Sequence, residues 1–172
     1  MAQILQIVVW NANGLRQHAQ EIKLFIQTFN LDILLVSETC FINRSHITIP
    51  NYNIYYTNHP DETVHRSTAV IIRQNIKHSG RTEYRHENIK AIEDNTGETT
   101  VSAIYCPPKH QNKYDDYDRF FKILGNSFIA GGDYNAKNSF WGSRLTTTKG
   151  RGLHKIMKNN NLKHLSTRQP TY

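Results

Sequence analysis

An acid and an amide two residues apart, Asp133 and Asn135, follow a short apolar run (Phe128, Ile129, Ala130) and a glycine pair, Gly131 and Gly132. A buried strand that ends this way presents its last polar side chains at the rim of a sheet. The glycines there permit backbone angles or close approaches that a side chain would forbid. Held on one side of the following turn, the pair suits work on a phosphate: the carboxylate handles a proton and the amide donates a hydrogen bond to an oxygen. Asp and Asn are also ordinary turn formers after strands, so the pair gains weight only from its company. That company stands at other strand ends: Asn11 and Asn13 after residues 4–10, Glu38 after residues 33–36, and Tyr105 closing residues 99–105. Each has a plain structural reading as well, as a turn former, a cap or a half-buried edge residue. Brought to one rim, they make a single polar pocket. Hydrolysis of a phosphodiester needs a hard divalent cation on oxygen ligands, an activated water and donors on the phosphoryl oxygens. Glu38 offers a metal carboxylate and Asn11 a neutral oxygen ligand. Asp133 would position water or take a proton, while Asn135 and Tyr105 hold the phosphate.

The elements that must place these residues follow from periodicity. Residues 4–10 (I-L-Q-I-V-V-W) are rich in β-branched side chains and stop at Asn11-Ala12-Asn13-Gly14, a strand running into a turn. Ile22, Phe25, Ile26 and Phe29 recur at helical spacing and predict an amphipathic helix over 17–29. A second short strand spans 33–36. Residues 47–57 and 68–73 read as strands joined by a polar loop, and 82–92 pairs with 99–105 as a hairpin around Asp94-Asn95-Thr96-Gly97. Tyr114, Tyr117, Phe121 and Leu124 predict a second helix over 112–124, and Leu153, Ile156 and Met157 a third over 149–160. Residues 162–172 read as one more short strand and a loop. Strands outnumber helices and most are joined by hairpins, which predicts an α/β (α+β) domain of two packed sheets flanked by helices.

At 172 residues the chain suits one domain with a real core. Its formal charge of +7 is spread along the sequence, and its isoelectric point is near 9.5. Such a balance is either a solvated basic surface or the footprint of a polyanion, with nucleic acid first among candidates. None of the nine histidines stands at a zinc-ligand spacing, so they are read as surface or core residues. Two cysteines, Cys40 and Cys106, make no disulfide framework and point to a reducing compartment. No stretch approaches the roughly 18 apolar residues of a membrane span, and the N-terminal apolar run lacks the marks of a signal peptide. A soluble, intracellular protein without a membrane partner is expected.

Four motifs carry a resemblance: W-N-A-N-G-L (10–15), S-E-T (37–39), I-Y-C-P-P (104–108) and G-G-D-Y-N-A-K-N (131–138). In this order they resemble the motifs of the endonuclease/exonuclease/phosphatase superfamily. More narrowly, N-A-K-N-S-F-W-G-S-R followed by T-K-G-R resembles the apurinic-type endonuclease domain of jockey-like non-LTR retrotransposons, over nearly the whole chain from Gln3. The resemblance implies a four-layered fold, two mixed sheets sandwiched between helices, with a Mg2+ site at one rim and Mn2+ as an alternative ion. By motif, Asn11 and Glu38 correspond to metal-site residues, Tyr105 to a tyrosine near the scissile phosphate, Asp133 to the catalytic aspartate and Asn135 to its partner. Asn13 stands where apurinic endonucleases often carry Asp, and is assigned to the DNA-facing side. Thr171, in P-T-Y, resembles a threonine that retroelement enzymes place near DNA. From charge alone, Lys137, Arg144, Lys149 and Arg151 are near enough in sequence to contact the DNA backbone.

There are two departures from the family pattern. Its active site is completed by a later aspartate and a Ser-Asp-His motif that lie beyond Tyr172, so residues 1–172 are expected to be a C-terminally incomplete domain that nicks weakly or not at all alone. Relatives also usually carry Gly-Gly where this chain has Arg66-Ser67. The implied function is metal-dependent nicking of target DNA, in a polyprotein with a downstream reverse transcriptase and with access to the nucleus. A non-catalytic remnant that binds DNA by charge is one alternative. A phosphatase acting on a small phosphoester is another, against which the basic balance argues.

Overall fold

The computed structural model describes residues 4–40, 47–57, 67–80, 88–94, 97–109 and 112–165. Among them are eight strands: β1 (Ile7–Asn11), β2 (Ile33–Ser37), β3 (Tyr52–Thr57), β4 (Thr68–Arg73), β5 (His78–Gly80), β6 (Asn88–Asp94), β7 (Gly97–Tyr105) and β8 (Phe128–Asp133). The helices are α1 (Ala19–Thr28), α2 (Tyr114–Leu124) and α3 (Thr148–Asn159). Two units divide the chain, Met1–Tyr105 with Asn126–Asp133, and Cys106–Gly125 with Tyr134–Tyr172.

All eight strands among the described residues belong to the first unit. They form two mixed sheets, ordered β1-β2-β4-β3 and β5-β6-β7-β8. β1 and β2 are parallel, as are β7 and β8, and the other pairs are antiparallel. β2 explains the layering. All five of its residues are buried, which demands cover on both faces, and successive side chains take opposite faces. Leu34 and Val36, with Ala69 and Ile71 of β4, join the core around Leu15, Ile22 and Ile26 on the α1 side. Ile33 and Leu35, with Val70 and Ile72, face the other way and pack with Val101 and Ala103 of β7 between the sheets. The two sheets approach closely at β8. A Cβ added to Gly131 would lie 2.4 Å from Val9 Cγ2 and 2.9 Å from Leu35 Cδ1, and one on Gly132 would lie 1.9 Å from Ile104 O. The glycine pair is there because no side chain fits.

The second unit holds α2 and α3. The Lys113 N–H donates to Asp116 Oδ2 at 2.8 Å at the start of α2, and Thr147 Oγ1 accepts the Gly150 N–H at 3.1 Å at the start of α3, each satisfying an orphan helix donor. α2 buries Tyr117, Phe121 and Leu124 as its spacing predicts, and α3 buries Leu153 and Ile156. Lys149 departs from expectation. It is buried, and its ammonium donates to Pro107 O at 2.7 Å, so it is a structural tie rather than a surface contact for DNA.

Several boundaries also move. β1 begins at Ile7, because Gln6 is occupied by Asp32: its N–H donates to Asp32 Oδ2 at 2.8 Å and its carbonyl accepts the Asp32 N–H at 3.0 Å. A 3-10 turn, Leu15–His18, precedes α1. Of the four residues predicted for the inner face of that helix, only Ile22 and Ile26 are buried; Phe25 and Phe29 are exposed and lie 4.8 Å apart, ring to ring. β3 begins only at Tyr52, whose N–H closes a turn onto Ile49 O at 3.2 Å. β5 had no periodic signal; it is defined by pairing with β6 and by His78 Nε2, 2.8 Å from Tyr55 Oη. Residues 162–165 are not a strand. The predicted segment 166–172, the loop 58–66, residues 82–87 and the turn at 95–96 lie outside the described residues. No helix among the described residues is long and apolar enough to cross a membrane.

Candidate active site

Two parallel strand pairs bring four strand ends to one rim of the first unit. In the first sheet Asn11 is in register with Ser37, and the chains continue side by side past the strands: Ala12 N–H to Ser37 O at 2.9 Å, Gly14 N–H to Glu38 O at 2.8 Å, Leu15 N–H to Thr39 O at 2.9 Å. Within this track Glu38 adopts a left-handed backbone, φ 52°, which costs a non-glycine residue about 1–2 kcal/mol. Its neighbours hold it there. The Thr39 N–H donates to Ser67 O at 3.1 Å, and Thr39 Oγ1 donates to Ser67 Oγ at 2.6 Å, both residues being buried. Ser67 belongs to the Arg66-Ser67 departure, and its hydroxyl is used. Sequence reasoning missed this support; the Thr of S-E-T was its available signal.

In the second sheet Tyr105 and Asp133 are in register. Asp133 meets the first sheet through Asn11, whose Nδ2 donates to Glu38 Oε1 at 3.0 Å and to Asp133 Oδ2 at 3.2 Å. Asn11 Oδ1 accepts the Asn13 N–H at 3.2 Å. One neutral amide therefore spans two carboxylates, and its nitrogen, not its oxygen, faces them. Asn13 is exposed at the turn, with φ 41°. Asn135, φ 46°, follows two residues after Asp133 and falls in the second unit, as do exposed Lys137 and Arg144. Thr171 lies outside the described residues.

Two acids drawn to one donor have the composition of a hard-cation site. Mg2+ is commonly held by one or two carboxylates, with water and phosphate completing its shell. No cluster of three or more His, Cys, Asp and Glu exists among the described residues. Glu38 fits an open site of that kind, with Asp133 beside it. Turning the Asn11 amide over would add its oxygen, since amide orientation follows the surrounding bonds. Burial, and then the Glu38 charge, push the thiol of nearby Cys40 above its ordinary value.

The Endonuclease/Exonuclease/phosphatase family model matches residues 8–172. The chain belongs to this family. Among its relatives, the RNA-directed DNA polymerase from mobile element jockey of Drosophila melanogaster is 33% identical over 172 residues, covering 98% of this chain and 19% of that protein. A probable RNA-directed DNA polymerase from transposon BS, also of Drosophila melanogaster, is 30% identical, with 97% and 19% covered. This domain therefore spans about a fifth of the curated relatives it matches. Among solved structures, the endonuclease domain of TRAS1, a telomere-specific non-LTR retrotransposon, superposes with a TM-score of 0.72 at 18% identity, covering 91% of this chain and 72% of that one. The AP endonuclease LMAP from Leishmania major gives 0.75 at 12% identity, with 91% and 67% covered. At such identities the likeness is one of fold. The two-sheet architecture and the family read from the four motifs both hold: this is an endonuclease/exonuclease/phosphatase domain of jockey-like retrotransposon type.

Proposed function

We propose that this domain hydrolyses phosphodiester bonds of DNA with Mg2+, nicking one strand of a target and leaving a 3′-hydroxyl for a reverse transcriptase encoded downstream. The observation that carries this reading is the Asn11 amide joining Glu38 and Asp133 at one rim. The relatives' names, which are those of mobile-element polymerases, supply the expected setting, and chromosomal DNA as target would bring the protein to the nucleus.

Glu38 and Asn11 would hold the ion, Mg2+ or Mn2+. Bound there, a divalent ion supplies Lewis-acid stabilisation of charge on the phosphoryl oxygens. Asp133 orients the attacking water and accepts its proton. Asn135 and Tyr105 donate to non-bridging oxygens, in the manner of an oxyanion site. DNA contacts are assigned by the motif resemblance to Asn13 and Thr171, and by charge to Lys137 and Arg144.

The test is conversion of supercoiled plasmid to open circles by the polypeptide translated in its natural frame, with Mg2+ and with EDTA. Nicking should require the ion and fall at least about 100-fold in Asp133→Ala. Unchanged nicking by that variant overturns the site. Salt-sensitive DNA binding without any cleavage would make the domain a charge-driven binder instead.

A further inference from the structure

Phe140 is a large apolar ring on the surface of the second unit. It is 57% exposed, yet it is held firmly. Its N–H donates to Asn138 Oδ1 at 2.9 Å, and the Asn138 side chain, itself buried, donates to Gly150 O at 3.1 Å. The next ring is anchored too, with Trp141 Nε1 donating to Ala136 O at 3.0 Å. A short 3-10 turn, Ser139–Trp141, thus lifts a phenyl ring into water on a pinned backbone. Around it stand His154, with ring centroids 4.5 Å apart, and His164, at 5.0 Å. Phe140, both histidines, Met157, Lys158 and Leu162 line an open cavity of ≈ 350 Å³, a size at the small end of ligand sites.

Within the segment that carries Phe140 the charge is one-sided. Residues 134–165 contain seven Lys and Arg and no Asp or Glu. Lys149 is buried, and the other six, Lys137, Arg144, Arg151, Lys155, Lys158 and Lys163, are exposed. Flat rings offering π faces within a field of cations are what sequence-tolerant single-strand binders use: bases stack while the backbone is neutralised. An acidic peptide would answer the charge and leave the rings unused. A paired duplex would hide its base faces.

We propose that the second unit carries a stacking platform for unpaired bases of a single-stranded nucleic acid, with Phe140 as its central ring. It deepens the nucleic-acid reading above, on which it rests for the class of partner, and it needs none of the rim residues. The strand is DNA exposed beside a nick, or RNA; both share the base-and-phosphate chemistry.

The test is fluorescence anisotropy with labelled ten-residue oligomers: deoxyribose, ribose, a base-free deoxyribose strand of equal charge, and a duplex. The expected result is base-bearing strands binding roughly ten-fold tighter than the base-free strand, with the duplex weaker. Phe140→Ala removes that advantage and Phe140→Trp keeps it. A preference for one sugar supports the platform and names its strand. Circular dichroism checks folding. Should Phe140→Ala not fold, quenching of Trp141 in a Trp10→Phe chain by base-bearing but not base-free strands serves in its place. Equal binding of the base-free strand, or tighter binding of the duplex, overturns the proposal. The two readings separate cleanly: nicking with unaltered strand binding in Phe140→Ala sinks only the platform, and base-dependent binding without ion-dependent nicking sinks only the nickase.

Discussion

Asn11 Nδ2 lies 3.2 Å from Asp133 Oδ2, across 122 residues of sequence and between two different sheets. The same nitrogen reaches Glu38 at 3.0 Å. Two acids share a neutral donor, so position 11 reports directly on the charge of the rim.

Asn11→Asp should therefore place a third carboxylate beside the other two. Without a divalent ion the variant should lose roughly 1 kcal/mol, or about 2–4 °C in melting temperature for a chain of this size. Millimolar Mg2+ should restore it. Thermal melts with and without the ion are the measurement, and identical curves would remove the cation site.

Thr39→Val keeps the shape of a buried side chain and deletes its hydrogen bond to Ser67. The expected cost is about 1–3 kcal/mol in urea unfolding, with part recovered in the double variant carrying Ser67→Ala. Because Glu38 sits in a left-handed conformation next door, ion affinity should fall as well. A midpoint matching the native chain would show that the hydroxyl pair supports nothing.

Tyr117 is 2% exposed, and its hydroxyl is buried with no hydrogen-bond partner among the described residues. Burial first, then the charges of Cys106 and Asp116, push its phenol well above the ordinary value of 10.0. The fold thus favours the neutral form. Its contribution is complete below pH ~10 and declines as the pH climbs past that value toward the raised one. Tyr117→Phe should be as stable as the native chain at pH 7, or more so, and should flatten the decline between about pH 10 and 11. Denaturation series over that range test this; an unchanged slope assigns the decline elsewhere.

Lys149 and Lys155 should behave as opposites. Lys149→Met removes a buried donor from Pro107 O and should cost about 1–3 kcal/mol, with little change in low-salt strand binding. Lys155→Ala removes an exposed ammonium that lies 5.2 Å from the Tyr114 ring centroid; it should cost no more than about 1 kcal/mol and weaken binding. The reverse pattern would mean that buried and exposed cations have been misassigned.

The sequence was most legible where one force acts alone. The apolar runs of β2 and β4 permit no exposed alternative, and the polar residues after β1, β2 and β8 mark where those strands surface. Sequence was least legible where partners far along the chain decide. His78–Gly80 is a strand only because β6 pairs with it. Phe25 and Phe29 fit the helical spacing, but the buried face of α1 is as narrow as Ile22 and Ile26. Charge alone could not tell buried Lys149 from exposed Lys155. The ring cluster at Phe140 is not legible in the sequence, because nothing in its spacing brings residue 164 beside residue 140.

Gly131 lies two residues before Asp133, and Val9 two before Asn11. The contact that keeps a methyl group out of position 131 therefore sets the gap between the sheets at almost the depth where amide and acid meet. Core and rim share one dimension, and the glycine is its calliper: a methyl wedged there would spread the jaws and move the reacting groups apart without touching either.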